Sequence, residues 1–350
     1  MRRVFAIMIV IGFLTPAEAA PAVEITTFGS TEAGLKWIKE YRAKPDPKSV
    51  PALIQMLSQR GSFKEPEASG LYVGFLAGVL GSNPRSAKFL INQTLPLPYE
   101  DQWLLIRAVA YSGLPHWRDL LKDLAVRLPD RRLLVEHYLN GKLPTLDKVR
   151  LEPEPPKSFD KVRRIFKRET YFGPKKEPAR DVTFVTNPEL IDTHWGLYFA
   201  NGKDPPLERI MALLPWSTER DNLEKLTIGG MAKFTLTANA ARDATLLRAM
   251  KRLTLRQSKA VQPLVDEVIE AAETADIGRI RKEALAGVEE LRRKGPGSKR
   301  DIAWWGKVGE VSLSLGCLGA AVTGQVEFGI PCVVGGALST AALRYFASPE

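Results

Sequence analysis

One spacing of apolar side chains returns along this chain and narrows what it can fold into. Val50, Leu53, Ile54 and Leu57 stand at i, i+3, i+4 and i+7; Ala87, Leu90 and Ile91 repeat the series, and Trp117, Leu120, Leu121 and Leu124 complete it again. Residues so spaced share one face of an α-helix, and that face has to be buried against a neighbour. A neighbour is at hand each time. A helix over about Thr31–Ala43, with Leu35, Ile38 and Tyr41 on one side, precedes the first stripe, and the largely apolar segments 71–80 and 103–111 precede the next two. The stripes open 37 and then 30 residues apart, the period of stacked helical hairpins. A seventh helix is expected over about Arg131–Leu139. The pattern predicts an all-α fold of stacked antiparallel helical hairpins, α-solenoid-like in arrangement.

The helix boundaries have their own chemistry. Gly61, Gly81, Gly113 and Gly141 read as stops, because glycine accepts the left-handed conformation that ends a helix. Asn83 followed by Pro84 reads as a cap and a first helical residue. Gly70, Gly74 and Gly78 are different. They fall every four residues inside an apolar helix, where each lowers helix propensity by about 1 kcal/mol. Their use is the close approach of a second helix backbone.

The series breaks at 143–186, where Pro144, Pro153, Pro155, Pro156, Pro174 and Pro178 fall among many charges. This reads as a proline-rich basic linker, with one short strand over Val182–Val185. Its basic patch is dense. Residues 157–180 hold nine Lys or Arg, among them Lys161, Arg163, Arg164, Lys167 and Arg168, against three acids, with Phe166, Tyr171 and Phe172 interleaved. Such a run is either a solvated linker or a surface for anionic lipid or an acidic polymer.

Helices resume at Asn187-Pro188. Leu190, Ile191, His194, Trp195 and Tyr198 share a face, Gly202 stops the helix, and Asp204 and Pro205 start the next. Leu207, Ile210, Met211 and Leu214 then repeat the stripe. Further helices are expected over about Leu223–Asn239, Ala244–Arg256 and Ala260–Lys294, ahead of a hinge at 295–297.

Both ends point to the cell envelope. Arg2 and Arg3, the eleven residues Val4–Leu14, Pro16 and the small-x-small pattern of Ala17 and Ala19 read as a signal peptide over 1–19. Eleven residues at ~1.5 Å each are too few to cross a ~30 Å hydrocarbon core. The chain is therefore expected to be exported and to work on the periplasmic or extracellular side. Near the other end, 311–343 is apolar, flanked by Trp304, Trp305, Tyr345 and Phe346, with Gly316, Ala320 and Gly324 at the small-xxx-small spacing of tightly packed helices. As one helix it would be ~50 Å long and would carry Glu327 and Pro331 in its interior. Turning between Gly324 and Gly329 makes two arms, either embedded in a membrane or buried in soluble protein. Cys317 and Cys332, the only cysteines, would then face each other, as a disulfide or as two small buried hydrophobes. The expected organisation is 1–19 signal peptide, 20–142 helical block, 143–186 linker, 187–297 second helical block, and 298–350 apolar segment.

Catalytic motifs are missing from the sequence. The three histidines, His116, His137 and His194, fall in separate helical units, and no His-Glu-x-x-His, paired CxxC, Gly-x-Ser-x-Gly or phosphate-binding loop is present. Ser158 and Lys161 match Ser-x-x-Lys by chance, inside the linker and without companion motifs. No catalytic residue, metal or cofactor is assigned. The net charge of +10 favours anionic partners. Nucleic acid is disfavoured for an exported chain.

The run Asp192, Thr193, His194, Trp195, Gly196, Leu197, Tyr198, Phe199, Ala200, Asn201, Gly202 resembles a segment of uncharacterised exported bacterial all-helical proteins. The alternation of helices is similar to HEAT-type and tetratricopeptide-type solenoids, although no copy carries the tetratricopeptide Trp, Gly, Tyr and Pro at the required offsets. The resemblance brings no known activity; stacked hairpins leave a groove lined by one helix of each pair, for a protein or peptide, and Trp103, Trp117, His194, Trp195 and Tyr198 are the candidate contacts, each alternatively a core side chain. The expectation is a non-catalytic binding or scaffold protein at the membrane. The alternatives are a membrane-active oligomer and a carboxylate-based hydrolase.

Overall fold

A computed structural model describes residues 28–149 and 188–274, together with Glu283 and Ala286. All regular structure among the described residues is helical. The first stretch forms α1 (Thr31–Glu40), α2 (Val50–Gln59), α3 (Gly70–Ser82), α4 (Ala87–Thr94), α5 (Gln102–Tyr111), α6 (Trp117–Arg127) and α7 (Arg132–Leu139). The second forms α8 (Pro188–Asn201), α9 (Asp204–Met211), α10 (Leu223–Ala240), α11 (Ala244–Thr254) and α12 (Gln262–Glu273).

Local sequence accounts for most boundaries. The Ser30 hydroxyl caps α1 by accepting from the Ala33 N–H at 3.2 Å. The Asn222 side chain caps α10, and Asp243 caps α11 by accepting from the Thr245 and Leu246 N–H groups at 3.0 and 3.1 Å. Gly113 and Gly202 adopt φ values of 68° and 63° just past their helices, a conformation that costs glycine little. Three expected boundaries move, one of them at Asp204, which is the first residue of α9 rather than its cap, with Lys203 before it. Gly81 does not end α3 but lies in its last turn, where a Cβ would overlap the Ser112 carbonyl at the end of α5. Asn83 turns back to donate to the Val79 carbonyl at 2.8 Å, and α4 begins only at Ala87.

The helices sort by how they are buried. In α2, α6 and α11 one stripe faces inward: Val50, Leu53, Ile54 and Leu57; Leu120, Leu121 and Leu124; Leu246, Met250 and Leu253. By contrast α3, α8 and α10 are buried almost all round. Among the described helices the heaviest packing is α3 on α8. A Cβ on Gly70 or Gly74 would overlap the carbonyl oxygens of Glu189 and Thr193, and one on Gly78 would stand 2.6 Å from the Ala200 methyl. From the other side, a Cβ on Gly196 would overlap the Leu71 carbonyl. The glycines of α3 thus serve backbone-to-backbone contact, and the partner is a helix more than 100 residues further along the chain. One cluster of buried apolar side chains runs from Leu35 to Ala272 through both stretches.

No helix of the described residues is long and apolar enough to cross a membrane. The signal peptide, the strand at Val182–Val185, the basic patch Lys161 to Arg168 and the C-terminal segment with Gly316, Cys317, Ala320, Gly324 and Cys332 lie outside the described residues.

Candidate functional site

The α3–α8 crossing leaves polar groups where water does not reach. Asp192, one turn after Glu189 on α8, has 0 % of its surface exposed, and neither carboxylate oxygen finds a hydrogen-bond partner among the described residues. Burial pushes its pKa well above the usual carboxylate range, and the Glu189 charge adds to the shift. Glu189 is held differently, in an ion pair with Arg107 of α5. Burial works against the Arg107 charge, yet Glu189, with Tyr138 and Tyr111, keeps its pKa above the usual value. Across the crossing, burial raises the pKa of the Tyr72 phenol, with the Glu32 and Asp192 charges adding to it. Tyr138, Tyr111, Arg107 and Glu189 thus form one coupled polar group beside the crossing, while the Asp192 carboxylate and the Tyr72 hydroxyl lie inside it with no hydrogen-bond partner among the described residues.

The five aromatic and histidine positions expected to line a groove lie in different settings. Trp195 and Tyr198 are in the core. Trp195 stacks on Phe199 with centroids 5.6 Å apart and donates its indole N–H to Thr235 Oγ1 at 3.0 Å, so its polar atom is satisfied within the fold. Tyr198 lies under the Arg42 guanidinium at 4.8 Å. His194 is 8 % exposed with Nδ1 unpartnered among the described residues. Burial, with Arg209 nearby, brings its pKa down to about 4, so the ring is neutral at pH 7. Trp103 and Trp117 are half-buried, with Arg107 over the first ring at 5.2 Å and Arg118 over the second at 4.5 Å.

The buried acid was the feature hardest to pick from sequence. Its one signal is a carboxylate just after Leu190 and Ile191 and one turn before the apolar run 195–200. Chemically, Glu189 and Asp192 are paired carboxylates in unlike surroundings, an arrangement that can separate an acid from a base. With Asp192 sealed from solvent, no substrate reaches it in this conformation. Among the described residues no three His, Cys, Asp or Glu side chains gather as metal ligands. Comparison with family models, curated proteins and solved structures finds no match to this chain.

Proposed function

We propose that this chain is an exported, non-catalytic binding or scaffold protein of the cell envelope. It is held at the membrane through its C-terminal apolar segment, and its helical hairpins stack in solenoid fashion. The observation that carries this reading is the contrast between interior and surface. The groups with the chemistry of an active site, Asp192 and His194, are enclosed in the core, while Phe89, Tyr99, Val126 and Leu133 stand exposed on or beside the outer helices. A protein or peptide partner has apolar side chains to meet there.

Fractionation with a salt wash tests the reading. Full-length protein stays with membranes, and a chain lacking 301–350 is released yet still captures the same partner from solubilised envelopes. A truncated chain that remains membrane-bound after the wash removes the tail as the anchor. The carboxylate-hydrolase alternative draws on Glu189 and Asp192, and it requires α8 to move before substrate can enter. The membrane-active alternative draws on Gly316, Ala320 and Gly324.

A further inference from the structure

The outer face of α11 is the most one-sided charged surface among the described helices. Residues 242–259 hold six basic side chains, Arg242, Arg248, Lys251, Arg252, Arg256 and Lys259, against one acid, Asp243. All six are exposed, while Leu246, Met250 and Leu253 bury the opposite face in the core. Arg252 reaches Asp204 of α9 at 2.5 Å, Arg256 lies 3.5 Å from Asp204 and 3.6 Å from Glu208, and Lys251 pairs with Glu273. Arg242, Arg248 and Lys259 make no ion pair among the described residues. Arg42 and Asp243 pair largely buried beneath this face, and burial, then Arg242 and Arg42, lower the pKa of Lys39. At the end of the helix Leu255 is 84 % exposed amid these cations.

We propose that this face docks on anionic membrane lipid, with α11 lying along the headgroups and Leu255 entering between them. Cations on an amphipathic helix gather anionic headgroups by long-range attraction, and a single exposed apolar side chain adds a short-range contact that a purely ionic partner would not use. Nucleic acid fits less well. Single strands are held by stacking on aromatic rings, and the exposed aromatics Phe89 and Tyr99 belong to α4 and the turn before α5. The choice of lipid rests on the envelope reading above. The surface adds a second contact to that reading, distinct from the C-terminal segment and from the basic linker.

Vesicle co-sedimentation of the full chain tests it. The quantity read is binding to phosphatidylcholine vesicles with about a third phosphatidylglycerol, relative to phosphatidylcholine alone, which cancels any charge-independent insertion of the tail. The ratio is expected to be roughly tenfold or more at low salt and to shrink at about 0.5 M salt. Replacing Arg242, Arg248 and Lys259 with Glu brings the ratio close to one with the melting temperature unchanged. If that chain does not fold, the Gln versions should lower the ratio about tenfold or more. Leu255→Ser weakens binding to anionic vesicles at high salt more than at low salt. The proposal is overturned if the Glu chain keeps the wild-type ratio, if reversing Lys161, Arg163, Arg164, Lys167 and Arg168 removes the whole effect, or if a DNA duplex competes all the protein off the vesicles. A protein that passes these tests but fractionates away from membranes in cells keeps this surface and loses the envelope reading.

Discussion

Asp192 and His194 sit two residues apart on α8 and set opposite pH dependences. The folded pKa of Asp192 lies above its unfolded value, so the native state binds the extra proton. Its contribution to stability is therefore present at low pH and declines as pH rises from about 4 through the folded pKa. Asp192→Asn is expected to raise stability at pH 8 by at least about 1 kcal/mol, or roughly 2–4 °C, with the gain shrinking as the pH is lowered toward 4. Thermal melts across pH check it, and a variant that melts lower than wild type at pH 8 contradicts the unpaired carboxylate. For His194 the sign is reversed. The folded pKa is about 4 against 6.5 unfolded, so the unfolded chain takes the proton first. Stability is full above pH 6.5 and falls by about 3 kcal/mol as pH drops toward 4. His194→Gln is expected to flatten that acid limb in urea titrations at pH 7 and 4.5, whatever it costs at neutral pH.

The α3–α8 pair shows how a helix of poor intrinsic propensity becomes the centre of a fold. Glycines at 70, 74 and 78 weaken α3 as an isolated helix, yet they let two backbones meet where any side chain would collide. Gly74→Ala separates the two effects. Propensity alone predicts a gain of about 1 kcal/mol, while overlap with the Thr193 carbonyl, which no rotamer change relieves, predicts a loss of about 1–3 kcal/mol. The loss is expected to win. Denaturant unfolding of this variant measures it, and a more stable protein would mean that the helices can separate at little cost. A similar approach recurs at Gly229 of α10, against Trp216 and Ser217.

Because α3 and α8 come from opposite sides of the 150–187 region, the two described stretches complete one core. Residues 28–149 expressed alone leave the apolar α3 without its main partner, and 188–274 alone leave α8 exposed. Each piece is expected to aggregate or to melt without cooperativity, and the two co-expressed are expected to associate and recover a single cooperative transition. Circular dichroism melts of the pieces and the mixture decide this. Two independent cooperative transitions would show two separable units. Lys233, buried on α10, adds a polar tie by pairing with Glu267 of α12 at 2.7 Å and with Glu283 at 3.1 Å.

The helices were legible from the chain because their evidence is local. The stripe Val50, Leu53, Ile54, Leu57 declares its own buried face, Gly113 and Gly202 stop their helices where they stand, and the glycines of α3 announce that something must come close. Periodicity and capping act over one or two turns, so the all-helical class and most boundaries follow from reading along the sequence. What came close to α3 was not legible, nor was the burial of Asp192. Each depends on which helices meet across long separations, and an apolar helix buried all round looks the same whichever neighbour covers it. Three-dimensional packing chose α8 for that place and thereby sealed a carboxylate inside the protein.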